Sequence, residues 1–216
     1  IQLHPVRPSL HSSVLPDHAL IAFARSDDTT FGILQSRFHV LWSLRLGTAL
    51  DDRPRYTPTT SFDTFPFPEG LRPIDTASKA VVATASGALA PATLVGDAAT
   101  KASAIAEAAK RLYDLREAWL NPAEWVVREP DITPLGMTAS PYPDIVKARP
   151  GHEAELAKRT LTKLYNEMPA WLKTAHEQLD RAVAAAYGWK DYVPSMKESD
   201  VRARLLALNL SRPGSA

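Results

Sequence analysis

The densest chemistry in the sequence lies in one stretch, Arg53-Pro54-Arg55-Tyr56-Thr57-Pro58-Thr59-Thr60-Ser61-Phe62-Asp63-Thr64-Phe65-Pro66-Phe67-Pro68. Arginine presents a planar fork of donors that suits phosphate oxygens and the guanine edge, and hydroxyls add single hydrogen bonds to the same targets. Arg53, Arg55, Tyr56, Thr57, Thr59 and Thr60 are therefore candidate contacts to a DNA duplex. The prolines fix φ and remove donors, and no helical or strand period runs through the stretch. It is expected to be extended, stiff and irregular. Phe62, Phe65 and Phe67 need burial and are assigned as structural anchors. A loop whose phenylalanines staple two domains is the competing reading, and both can hold at once.

The remaining chemistry is sparse. None of His4, His11, His18, His39, His152 and His176 has a partner at helical metal-ligand spacing, and there is no HExxH or CxxC. His39, beside Phe38 and Trp42, reads as a structural or surface residue. Asp51-Asp52 is a pair of turn formers and arginine partners more simply than an Mg²⁺ or acid–base site. Asn121-Pro122-Ala123-Glu124 superficially matches the N-P-P-Y turn of amino-methyltransferases, but lacks its second proline and following aromatic. It reads as a helix stop. The glycines are scattered and form no phosphate loop, and no GxSxG occurs. No active site assembles from these residues.

The totals narrow the field. Lys+Arg 25 against Asp+Glu 24 leaves a net charge of +1. Any DNA surface must then be a local patch. Every basic side chain in residues 1–73 is an arginine (Arg7, Arg25, Arg37, Arg45, Arg53, Arg55, Arg72). That bias suits phosphate recognition, and a GC-rich genome explains it as well. The absence of cysteine excludes a disulfide framework and thiolate metal sites, and fits a cytoplasmic protein. No apolar run reaches the roughly 20 residues of a membrane span. The start, Ile1-Gln2-Leu3-His4-Pro5, resembles no signal peptide, and the chain reads as a piece of something longer.

The positioning elements follow from pattern. Leu20 to Ala24 is predicted as a short buried strand. Asp28 or Thr29 is predicted to cap one helix that ends at Gly47, with Leu34, Phe38, Leu41 and Arg45 on one stripe. Ile74 to Leu89 is helix-compatible. Leu94 to Leu120 is the longest helical pattern, with Ala98, Ala102, Ile105, Ala109, Leu112, Leu115 and Trp119 at spacings of three and four. Residues 121–152 are a proline-rich connection whose Trp125, Ile132, Leu135, Met137, Tyr142 and Ile145 are expected to pack over the helices. Glu153 to Glu167 is helical, Pro169 opens a helix that ends at Gly188, and Ser199 caps a last helix burying Val201, Leu205 and Leu208.

Gln35-Ser36-Arg37-Phe38-His39-Val40-Leu41-Trp42, taken with Arg53 to Pro68, resembles the end of the target recognition domain of the MmeI-like DNA methyltransferases. These are single-chain type II restriction–modification enzymes. Leu161-Thr162-Lys163-Leu164-Tyr165-Asn166-Glu167, the run from Ala182 to Trp189, and Leu205-Leu206-Ala207-Leu208-Asn209-Leu210 resemble that family's helical tail. The resemblance covers Ala19 to Leu210. It implies a parent enzyme that methylates adenine N6 with S-adenosylmethionine, often with an endonuclease at its N-terminus. The family's cofactor glycine motif and N-P-P-Y are missing here, so this chain alone is expected to bind neither S-adenosylmethionine nor a metal and not to methylate.

The expected fold is mainly α. A small α+β remnant of a recognition domain spans residues 1–73, and an α-helical bundle forms residues 74–216. Double-stranded DNA and the parent's methyltransferase domain are the expected partners, with no membrane. The alternative is a non-catalytic helical interaction module that docks a protein through its Pro-Phe segment.

Overall fold

The computed structural model describes residues 21, 23–50, 53–78, 80–130, 132–140 and 144–212, with backbone alone at 48–50 and 53–55. Of the segment predicted as a strand, Leu20 and Ala22 lie outside these residues, and Ile21, Phe23 and Ala24 belong to neither strand nor helix. The described residues are mainly helical, with three small two-stranded antiparallel sheets. They form two compact units, residues 23–112 with 174–212, and residues 113–173.

The first unit opens with α1 (Asp28–Gln35) and α2 (Arg37–Leu46). Asp27, one residue ahead of the predicted cap, accepts from the Thr30 amide at 2.6 Å. The single predicted helix is divided at Ser36, which is extended, with φ −68° and ψ 153°. Its hydroxyl and its amide both donate to the Ile33 carbonyl and close α1. Asp180, from far along the chain, accepts from the Arg37 amide at 2.8 Å and so satisfies an orphan donor at the start of α2.

Helix α1 is buried along its whole length. A Cβ on Gly32 would lie 2.8 Å from Ile105 Cγ2 and 2.9 Å from Ala109 Cβ, which shows how closely it packs on α4 (Gly96–Leu120). The predicted α4 stripe is real: Ala102, Ile105, Ala109 and Leu112 have no exposed surface. Its small side chains permit that approach, and Thr29 Oγ1 donates to the Ala102 carbonyl at 2.9 Å.

The predicted helix over 74–89 does not form. Val81–Ala83 (β3) and Leu89–Pro91 (β4) pair instead, around a turn in which Gly87 has φ +75°. The β-branched Val81-Val82 pair favours a strand, and Ile74 is 77% exposed. Asp28 Oδ2 accepts from the Leu89 amide at 2.7 Å, and Ala88, Ala90 and Ala106 form a small apolar cluster beneath.

Two elements complete this unit: the part of α7 (Ala170–Ala186) from Thr174 onward and α8 (Glu198–Leu210). α8 begins one residue before the predicted cap, and Ser199 donates to Asp200 instead of capping. Leu179, Val183, Val201 and Leu205 are fully buried, as the pattern requires, whereas Leu208 is only half-buried. Gly188, with φ +77°, follows α7 as expected of a helix end.

In the second unit α4 stops at Asn121-Pro122, as predicted. The expected irregular connection contains a hairpin, β5 (Val126–Pro130) against β6 (Asp144–Ala148), with Val126 opposite Ala148 and Pro130 opposite Asp144. Ile132, Leu135 and Met137 do not pack over helices; they are 60%, 106% and 55% exposed. Glu153 to Glu167 is likewise divided, into α5 (Glu153–Ala157) and α6 (Leu161–Glu167). The Thr160 hydroxyl accepts from the Lys163 amide and caps α6. Arg159 sits 5.0 Å and 4.4 Å from the Trp119 and Trp125 ring centres and donates to the Trp119 carbonyl. Asp51, Asp52 and Tyr142 lie outside the described residues.

Candidate nucleic-acid interface

The candidate residues hang from the end of α2. The Gly47 amide donates to the Ser43 carbonyl at 2.7 Å and closes the helix. The chain then forms β1 (Thr48–Leu50) and returns as β2 (Arg53–Arg55), with Thr48 opposite Arg55, Ala49 opposite Pro54 and Leu50 opposite Arg53. The period of two puts positions 53 and 55 on one face of β2. A single helical turn, α3 (Pro58–Ser61), follows, with Pro58 in its first turn and the Thr57 carbonyl accepting from the Ser61 amide at 2.8 Å. The stretch is thus less irregular than predicted. Pairing with β1, outside the stretch itself, supplies the strand, and proline at the first helical position supplies the turn.

The six candidates divide. Arg53 and Arg55 stand on β2, and Thr59 and Thr60 are exposed on α3. Thr57 is half-buried at the N-cap of α3. Tyr56 turns inward: its hydroxyl lies 3.0 Å from His39 Nε2, and its ring meets Phe23 edge-on at 6.1 Å. Burial raises the Tyr56 phenol well above its ordinary range, with Asp63 adding to the effect.

His39 has the structural role expected of it. It is 3% exposed, and its Nδ1 lies 3.1 Å from the Leu34 carbonyl. Burial lowers its pKa to about 4, against a weaker opposing effect of that carbonyl. The imidazole is neutral at ordinary pH.

The phenylalanines anchor the stretch. Phe65 and Phe67 are 4% and 3% exposed, and Phe62, Phe65 and Phe67 form a chain of edge-on rings 5.0–5.4 Å apart. Trp42 Nε1 donates to Thr64 Oγ1 at 3.0 Å, which donates to the Thr60 carbonyl at 2.6 Å. From the C-terminal helical region, Tyr187 donates to the Pro66 carbonyl at 2.9 Å and Asn209 Nδ2 to the Thr64 carbonyl at 2.7 Å. The Pro-Phe segment is therefore inside its own unit and is not presented to a docking partner.

Three of the seven arginines in residues 1–73 have structural partners. Arg25 donates to the Thr76 and Pro73 carbonyls, Arg37 to those of Pro194 and Met196, and Arg72 pairs with Asp75. These guanidiniums hold loops. Arg45 differs: it is exposed in the last turn of α2, three residues before β1, with no partner among the described residues. The stripe with Leu34, Phe38 and Leu41 assigned it to a buried face. Its place just ahead of Gly47, where a helix gives way to a turn, is the signal that could have found it.

Among the described residues no group of His, Asp or Glu could hold a metal ion, and no helix is long and apolar enough to cross a membrane. In the second unit a surface depression of about 450 Å³ is lined by Asp114, Glu117, Ala118, Asn121, Pro122, Ala123 and Glu124. Its acidic lining opposes phosphate.

Comparison with known proteins adds the following. Residues 4–69 match the family model described as MmeI, target recognition domain, and residues 143–206 match the one described as MmeI, C-terminal domain. No curated protein matches the chain. A solved structure of the type IIL restriction–modification enzyme MmeI in complex with DNA aligns at 21% identity and a TM-score of 0.46. The alignment covers 86% of this chain and 16% of that one, so the chain spans a small part of that enzyme's length.

Proposed function

The chain belongs with the MmeI-like restriction–modification proteins, and from that premise we propose that it is the DNA-recognition and helical C-terminal portion of an adenine-N6 DNA methyltransferase that uses S-adenosylmethionine. The observation that carries this reading is the match of residues 4–69 to a target recognition domain, a span that contains α2, the β1–β2 hairpin and the Pro-Phe anchor.

In this reading arginines at 53 and 55 neutralise phosphates or read guanine edges, and exposed Thr59 and Thr60 add hydroxyl contacts. Contacts to phosphate set register, and the few contacts to base edges choose the sequence. Arg45 adds a further positive charge at the root of the hairpin. The partners are double-stranded DNA and the methyltransferase domain of the parent protein, which extrudes and methylates the adenine. A cytoplasmic setting goes with this role.

S-adenosylmethionine does not fit the residues described here. Gly70, Gly87, Gly96, Gly136, Gly151 and Gly188 have positive φ, but each lies apart from the others in sequence and none belongs to a G-x-G-x-x-G run. In this reading the methyl donor is bound by the parent's methyltransferase domain. The rival docking module loses its means, because Phe65 and Phe67 are already buried.

The test is duplex binding by the whole chain across a salt series. Each phosphate neutralised contributes about −0.9 to the slope of log K against log salt. Replacing Arg53 and Arg55 together by alanine is expected to weaken binding and to flatten that slope by about two. Affinity unchanged at every salt concentration would remove the DNA-facing reading.

A further inference from the structure

We propose that Tyr56 is a positioning residue and not a DNA contact: its hydroxyl, bonded to His39 on α2, fixes the outgoing end of the β1–β2 hairpin, so that positions 53 and 55 are presented on a prong anchored at both ends to one helix. The inference rests on the DNA-recognition reading above for what the prong meets.

The direction of the bond follows from its neighbours. The Leu34 carbonyl can only accept, so His39 Nδ1 carries the proton. Nε2 is then a lone-pair acceptor, and the Tyr56 O–H donates to it at 3.0 Å. The imidazole is itself buried, with Phe65 edge-on to it at 5.0 Å and an interplanar angle of 89°. Tyr56 thus meets a fixed, oriented acceptor inside the fold, and its one donor proton is used there.

The hairpin needs such a tie. Each strand has three residues, and two-stranded hairpins of that size are marginal in isolation. Entry is set by the end of α2 at Gly47, and Tyr56, directly after Arg55, sets the exit on the same helix. A prong ordered before binding does not pay its ordering cost at the DNA surface. The DNA-facing set then becomes Arg45, Arg53, Arg55, Thr57, Thr59 and Thr60.

Tyr56→Phe and His39→Leu, singly and combined in the whole chain, decide the matter through duplex affinity across salt and amide exchange at 48–50, 53 and 55. Tyr56→Phe is expected to weaken binding about fivefold, the worth of one hydrogen bond, with an unchanged salt slope and faster exchange in the hairpin. In the His39→Leu background it should have no further effect, because the acceptor is already gone. Affinity losses that simply add, or hairpin exchange that Tyr56→Phe leaves unchanged, would overturn the assignment. If His39→Leu fails to fold, the slope and exchange of Tyr56→Phe alone decide. If the unaltered chain binds no duplex, the DNA reading falls, and hairpin exchange still passes or fails the positioning role by itself.

Discussion

The Arg37 amide donates to the Asp180 carboxyl at 2.8 Å, joining residues 143 apart in sequence. The Arg37 guanidinium continues the link, donating to the Pro194 and Met196 carbonyls at 3.0 Å and 2.8 Å. One side lies in the span matched by the target recognition model and the other in that matched by the C-terminal model. The two spans share one core around Phe38, whose ring lies 5.7, 5.4 and 5.1 Å from those of Tyr187, Trp189 and Tyr192.

Asp180 should make stability depend on pH. Burial pushes its carboxyl up to about 7; the Arg37 amide and charge pull it down less strongly, and Glu177 adds to the rise. A folded pKa above the unfolded value means the contribution is full below about 3.9 and is lost as pH rises through about 7. Asp180→Asn keeps an oxygen for the Arg37 amide and carries no charge. The variant should match the wild type in urea unfolding at pH 4 and exceed it by about 2–4 kcal/mol at pH 8. An equal gap at both values would mean that Asp180 is ionised throughout.

His39 should act in the opposite sense. Its folded pKa of about 4 lies below the ordinary 6.5, so the unfolded chain takes up the proton first as pH falls. Its contribution is full above about 6.5 and lost by about pH 4, a change of about 3 kcal/mol. Between these limits it offsets Asp180. His39→Gln should therefore unmask the Asp180 slope, with stability rising as pH is lowered from 6.5 to 4.5. Denaturant midpoints at half-unit pH intervals would check this.

Gly32→Ala should be destabilising although the site is helical. The new methyl would meet Ile105 and Ala109 at under 3.0 Å and Leu179 at 3.2 Å. Overpacking of this kind costs about 1–3 kcal/mol, more than the roughly 1 kcal/mol that alanine gains over glycine in a helix. A lowered thermal midpoint is expected, and a raised one would show that α1 can shift on α4.

Phe38→Ala and Leu135→Ser form a contrasting pair. Phe38 has no exposed surface, and its removal should cost about 3–5 kcal/mol. Leu135 is wholly exposed in the β5–β6 connection, and its change should stay within about 0.5 kcal/mol. Chemical unfolding of both variants in one buffer provides the comparison.

What the sequence discloses depends on where the cause of each feature sits. The α4 stripe, the stop at Asn121-Pro122 and the burial of Phe65 and Phe67 are local, and their spacing and composition are enough to find them. The order of arginine, tyrosine, threonine and Phe-Pro elements is local too, and it carries the family likeness. The break at Ser36 is not, because the group that opens α2 is Asp180. The β3–β4 hairpin is hidden by an alanine-rich run that serves helix or strand alike. Within the candidate site, the inward turn of Tyr56 depends on an acceptor in a preceding helix, and the exposure of Arg45 on how α2 ends.

The Arg37–Asp180 link also sets a clock on biosynthesis. A ribosome adding about 5–20 residues per second needs roughly 7–30 seconds to make the 143 residues between the two partners. Throughout that interval Phe38 has been made and its aromatic neighbours have not. For that time the nascent chain lacks the three rings, Tyr187, Trp189 and Tyr192, that pack on Phe38 in the finished fold.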